Sequence, residues 1–210
     1  MHRRNFTLGL ALTPLLSSIV HAADSVIAGT DYTQLSTPIP VSVPGKIEVI
    51  EFFGYWCPHC NAFESKIEPW IQALPSDVNF RRIPVAWSAQ HIPYQKLYFA
   101  LEIMGAKGDI HSKAFKAFHE QGQRLENTDG INRFAAAINV DKAKLTEAIN
   151  SFTIANKINL ATQQAKTYQI EGVPTLIVNG KFATSPETAK GEEKALKVVD
   201  ALIQKERSKR

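Results

Sequence analysis

Only two cysteines occur among 210 residues, and they stand three apart in Cys57-Pro58-His59-Cys60, shortly after the apolar run Val49-Ile50-Glu51-Phe52-Phe53. Two intervening residues let the sulfurs close a small ring. A strand before and a helix after would set the first sulfur at the helix N-terminus, where unpaired N–H groups and the positive end of the helix dipole favour a thiolate. The spacing therefore predicts an acidic, reactive Cys57, with Cys60 one turn into the helix and behind it. Haem attachment needs His directly after the second cysteine, and this chain has Asn61. Zinc needs two further ligands, but there is no second cysteine pair, and His2, His21, His91, His111 and His119 lack the usual spacing. A zinc half-site and a purely structural cross-link stay as alternatives, although so small a ring constrains little chain entropy.

The N-terminus reads as a removable leader: Met1-His2-Arg3-Arg4 is charged, Phe6 to Val20 is mainly apolar but broken by Gly9 and Pro14, and Val20-His21-Ala22 offers a small-residue cleavage site. Removal after Ala22 is expected, and the apolar stretch is too short and interrupted to span a bilayer comfortably. Arg3-Arg4-Asn5-Phe6 also resembles a twin-arginine signal, so both general secretory and folded-state export stay open. Export would place the dithiol in a disulfide-permissive compartment. A chain needing structural cross-links there would carry more cysteines, so a lone pair points to handling other proteins' disulfides. Loss of residues 1–22 lowers the formal charge from +4 to +2. The basic end Lys205-Glu206-Arg207-Ser208-Lys209-Arg210 reads as a solvated terminus, and no nucleic-acid partner is expected. With no Gly-rich phosphate loop, no G-x-S-x-G and no metal-ligand cluster, no cofactor is expected either.

Along the chain, Ile47 to Phe53 predicts a central strand buried on both faces. Pro58 suits a first helical turn, and Phe63, Ile67, Trp70, Ile71 and Leu74 follow at helical spacing until Pro75-Ser76-Asp77. Val78 to Val85 predicts a second strand. From about Pro93 to Ser151 the pattern turns helical: Tyr94 to Met104, Ile110 to His119, a segment opened by Thr128-Asp129, and one capped by Asp141. A long helix from about Thr153 to Tyr168 leads back to Thr175-Leu176-Ile177-Val178, then to Asn179-Gly180, a strong hairpin signal. The last helix is expected over Glu192 to Glu206. This order describes an α/β chain with a helical insertion.

Glu51-Phe52-Phe53 leading to Cys57-Pro58-His59-Cys60, the helical insertion, and Gly172-Val173-Pro174 before Asn179-Gly180-Lys181 together resemble the thioredoxin superfamily. Within it the chain is similar to the DsbA family of periplasmic dithiol oxidases. The resemblance implies a thioredoxin fold over 23–90 and 152–210, with an all-helical domain, 91–151, inserted after the second core βα unit. It implies a cis bond between Val173 and Pro174 facing the cysteines, and Val173 and Pro174 as a binding edge for extended peptide; a trans proline opening an edge strand is the alternative. It implies donation of the Cys57–Cys60 disulfide to reduced, unfolded exported proteins, reoxidation by a DsbB-type membrane protein, and action as a monomer. A reductase or isomerase is the alternative among enzymes, and a chaperone-like binder of extended peptides the alternative outside them.

His59, between the sulfurs, can donate a hydrogen bond or positive charge to the Cys57 thiolate, or stand as an ordinary surface histidine. Glu51 is a carboxylate in a buried strand, costly unless paired or protonated. The resemblance implies an acid beneath the active site that helps move the proton at Cys60; pairing with Arg81 or Arg82 is the structural reading, and the two can coexist. Tyr55 and Trp56 read either as core or as a rim that meets substrate.

Overall fold

The computed structural model describes residues 26–106, 109–124 and 127–209. The expected leader, residues 1–22, lies outside the described residues. Thirteen named elements follow one another: β1 (Thr33–Gln34), β2 (Ile47–Phe53), α1 (Pro58–Gln72), β3 (Val78–Pro84), a short 3-10 turn (Ala89–His91), α2 (Ile92–Ile103), α3 (Ile110–His119), α4 (Thr128–Ala137), α5 (Lys142–Ile149), α6 (Phe152–Thr167), β4 (Thr175–Val178), β5 (Phe182–Thr184) and α7 (Glu192–Arg207). Among the described residues no helix is long and apolar enough to cross a membrane.

The sheet runs β1-β5-β4-β2-β3. β2 is parallel to β3 and antiparallel to β4, so it is flanked on both sides, and all seven of its residues are buried. Its five apolar side chains together contribute on the order of 10 kcal/mol of burial. That sum tolerates the two carboxylates of the same strand, Glu48 and Glu51, only because each has a partner: an unpaired buried carboxylate costs several kcal/mol. Glu48 takes Arg81 Nε at 3.1 Å and Glu51 takes Arg82 Nε at 2.8 Å, both from β3.

Alternation along β2 divides the interior. Ile47 and Val49 pack with Phe63 and Ile67 of α1 and with the apolar stripe of α7, Val198, Val199 and Leu202 among them. Ile50 and Phe52 belong to a second cluster that runs without a break into the helices, through Leu97, Phe115, Phe134 and Leu145. The helical segment therefore shares a core with the sheet, through Ile50 and Phe52 on one face and Phe53 at the strand's end on the other, and does not close around a core of its own.

Local chemistry sets the boundaries. Pro58 starts α1 at a position whose N–H would be unpaired anyway. α1 carries Pro69 inside its last turn and stops at Gln72, so Leu74, expected within it, falls beyond its end. Asp141 Oδ1 accepts from Lys144 N at 3.0 Å, the expected cap. The other two caps lie upstream of the expected starts: Asn127 accepts from Gly130 N at 2.8 Å, and Ser151 from Ile154 N at 3.4 Å. The short β1, absent from the sequence reading, is held only by β5. At the hairpin, Gly180 has φ +63°, and a Cβ there would come within 1.9 Å of the Ile39 oxygen. Both the turn and the passing 38–41 segment need a glycine.

Candidate active site

β2 ends at Phe53, and a tight Gly54-Tyr55-Trp56 turn leads into α1. Gly54 carries the Trp56 indole folded against it: a Cβ would meet Trp56 Nε1 at 2.5 Å. That indole N–H donates to Val85 O at 3.2 Å. The turn delivers Cys57 as the N-cap of α1 with extended φ and ψ of −89° and 118°. No side chain caps the helix, so the Cys57 sulfur occupies the place where a cap oxygen would normally sit.

Both cysteines are present as thiols, 4% and 1% exposed for Cys57 and Cys60. Their acidities are driven apart. The Cys57 thiol is lowered to about 6, first by the hydrogen bond from the Cys60 thiol, against burial, and then by the Cys60 and His59 backbone amides and the nearby His59 side chain. Cys60 is pushed far up, chiefly by burial and then by donating its proton to Cys57, with the negative charges of Cys57 and Glu51 adding to it. The direction matches the sequence expectation, but the order of causes does not. Sequence reasoning put the helix terminus and His59 first and missed the partner thiol; His59 is exposed and is the smallest contributor.

The Val173–Pro174 bond is cis, as the resemblance implies. The Val173 oxygen faces the dithiol and accepts the Cys57 S–H at 3.4 Å. Beside it opens a groove of about 780 Å³, lined by His59, Tyr168, Val173, Pro174, Pro186 and Thr188, among others.

Beneath the dithiol lies Glu51, 1% exposed and in register with Arg82. Burial raises its pKa, with Arg82 opposing. Of the two arginines allowed by sequence, Arg82 is the partner, and Arg81 serves Glu48 instead. Arg82 also reaches Glu64 and Glu68 of α1 at 3.2 Å each. Burial pushes Glu64 up to about 7 despite Arg82, with Glu51 adding to the rise. Sequence reasoning overlooked this second acid, although Glu64 stands four residues after Cys60 on the inward face of α1 and could have been found from helical spacing.

Tyr55 is core, 1% exposed, with its ring edge-on to Phe53 and Phe115. Trp56 lies at the rim, stacked on the His91 ring at 4.0 Å and edge-on to Trp87, which is 48% exposed.

Residues 48–197 match the family model of the DSBA-like thioredoxin domain. The chain is 43% identical to the thiol:disulfide interchange protein DsbA of Pseudomonas aeruginosa over 186 residues, 89% of this chain and 88% of that one. It is 41% identical to the Pseudomonas syringae pv. tomato protein of that name over 207 residues, 98% and 97% of the two chains. The crystal structure of Pseudomonas aeruginosa DsbA superposes with a TM-score of 0.84 over 89% of this chain and 97% of that one at 43% identity. The oxidoreductase NmDsbA1 of N. meningitidis superposes at 0.77 with 28% identity over 87% and 95%. A reactive dithiol at a helix start, on a fold shared along nearly the whole of these relatives, places the chain in the DsbA-like thioredoxin family as a thiol:disulfide oxidoreductase.

Proposed function

We propose that the chain acts as a dithiol oxidase, donating a Cys57–Cys60 disulfide to reduced, unfolded exported proteins. A substrate thiolate attacks Cys57 Sγ; the Cys57–Cys60 bond breaks and Cys60 leaves, taking up a proton. A second substrate thiolate attacks the substrate sulfur of the mixed disulfide, Cys57 leaves as a thiolate, and the substrate keeps the new disulfide. The protein is left as the dithiol and is reoxidised by a DsbB-type membrane partner. The carrying observation is the split acidity of the pair. A stabilised Cys57 thiolate is a good leaving group and favours the reduced form, which is what a donor of disulfides needs.

In this reading Glu51, held by Arg82 beneath the pair, serves the proton taken up at Cys60, and His59 adds its charge to the thiolate. Val173 and Pro174 with the adjoining groove receive the extended substrate. Action as a monomer in the periplasm, after removal of residues 1–22, belongs to the same proposal. So does the division into a thioredoxin-like unit, 23–90 and 152–210, and a helical insertion, 91–151. Its support is that α2 to α5 follow β3 without adding a strand to the sheet.

Equilibration with glutathione tests the direction of transfer. A couple more oxidising than glutathione is expected. One more reducing would make the protein a reductase, and undiminished activity of Cys57→Ser would remove the dithiol from the chemistry altogether.

A further inference from the structure

Helix α3 reaches the active-site turn through three polar side chains. His119 Nε2 donates to the main-chain oxygen of Tyr55 at 2.8 Å. His111 Nδ1 lies 2.8 Å from the Tyr55 hydroxyl. Ser112 Oγ donates to Glu64 Oε1 at 2.7 Å, on the α1 side of the dithiol. The residue two before Cys57 is thus gripped at both polar ends, and the residue four after Cys60 at its carboxylate, all from one ten-residue helix.

The histidines do more than fill space. The His111 ring is packed edge-on against Phe53 and Phe115, with centroids 4.9 and 5.2 Å away, where an apolar ring would serve packing as well. Burial, and then Arg82, hold its pKa well below the ordinary histidine range, so the ring is neutral and carries one proton. One ring nitrogen, Nδ1, meets the Tyr55 hydroxyl, and the other is Nε2. This atom is buried without a hydrogen-bond partner and faces Glu64 Oε2 at 3.6 Å. Such a group is retained at a free-energy penalty unless its other nitrogen is needed.

The need is geometric. Cys57 Sγ lies over the His59 and Cys60 amides only while the peptides before it keep their orientation, and the Tyr55 carbonyl belongs to the first of those peptides. We propose that His111 and His119 are positioning residues: by fixing Tyr55 from α3 they hold Cys57 Sγ over the first turn of α1 and so set the reactivity of the dithiol. The proposal rests on the reading of Cys57 and Cys60 as the redox pair.

The test equilibrates the parent, His119→Ala, His119→Gln and Tyr55→Phe proteins with glutathione buffers, titrates the Cys57 thiolate by its ultraviolet absorbance, and follows denaturant melts alongside. His119→Ala and Tyr55→Phe should each raise the Cys57 pKa. Each should also move the equilibrium toward the protein disulfide by about two- to tenfold, the span that one hydrogen bond of ordinary net strength converts to. Gln, whose amide can donate to the same carbonyl, should recover most of the change. An unchanged equilibrium in either His119→Ala or Tyr55→Phe, with stability alone reduced, would overturn the proposal, as would a Gln variant indistinguishable from Ala. A parent protein with no measurable glutathione equilibrium would overturn the redox pair itself, and the inference with it.

Discussion

Raising the pH should stabilise the reduced protein relative to its disulfide form, and the size follows from Cys57. Its thiol titrates at about 6 when folded, held there first by the Cys60 S–H and then by two backbone amides. In an unfolded chain a cysteine titrates near 8.5, about 2.5 units higher. A folded pKa below the unfolded one contributes stability that is complete above the unfolded value and is lost as pH falls through the folded value. Linkage then gives almost nothing at pH 5, about 1.4 kcal/mol at pH 7 and about 3 kcal/mol near pH 8.5. Around that pH, Cys60 begins to work the other way: it stays protonated in the fold, where burial pushes it up, but ionises once unfolded, so the gain peaks near pH 8.5 and falls beyond it. Glu64, raised by burial to about 7, weakens both redox forms as pH rises toward 7 and drops out of the difference between them. The assay is paired urea melts of the two forms from pH 5 to pH 8.5, compared at constant m-value. A stability difference that stays flat across this range would show that the folded protein does not acidify Cys57, and the oxidase reading would lose its physical basis.

Replacing His59 by Ser should raise the Cys57 pKa by less than Cys60→Ala does, because His59 is the smallest of the groups that lower it and the Cys60 thiol the largest; thiolate absorbance titrations of both variants would reverse this order if the histidine dominates. Glu51→Gln keeps the shape but removes the charge opposite Arg82, and should cost about 1–3 kcal/mol in denaturant melts, whereas Glu51→Leu, which also removes the hydrogen-bond acceptor, should cost more even though Glu64 and Glu68 still pair with Arg82. Both should also slow the turnover of reduced substrate if Glu51 serves the proton at Cys60, and parental turnover would assign it to structure alone. Gly180→Ala should lower stability by about 2 kcal/mol or more through its positive φ and the approach of Ile39, read by the same melts.

The strands and helices visible in the sequence are those whose own residues carry the signal. Ile47 to Phe53 is buried on both faces, so its apolar run is continuous and its place inside the sheet, flanked by strands on both sides, could be foreseen. Asp141 caps α5 with its own side chain, and Asn179-Gly180 makes the hairpin with its own backbone. β1 had no such signal. Thr33 and Gln34 form a strand only because β5 offers them an edge, and nothing within two exposed polar residues announces that. The start of α6 moved for a related reason. Thr153 and Ser151 are both able to cap, and the choice falls on Ser151, whose hydroxyl meets Ile154 N once Phe152 opens the helix.

The same distinction runs through the site. The places of Cys57 and Cys60 were legible because they depend on neighbours in sequence, a sulfur at a helix start and a second sulfur one turn on, whereas the cis bond at Pro174 came from the family resemblance. His59 was overrated because adjacency in sequence suggested contact, while the structure leaves its side chain exposed and brings the Cys60 thiol to Cys57 instead. For Glu51 the sequence left Arg81 and Arg82 both open, and the parallel register of β2 and β3 selects Arg82 by putting the two side by side. Its reach to Glu64 and Glu68 depends on how α1 lies across the sheet, a packing angle that no local pattern encodes. The grip of α3 on Tyr55 lies further still from local rules, since His111 and His119 meet a residue more than fifty positions away through a contact between two segments. A histidine on an amphipathic helix looks the same in sequence whether it faces solvent or a buried tyrosine, and only the packing of α3 against the turn gives these two a partner.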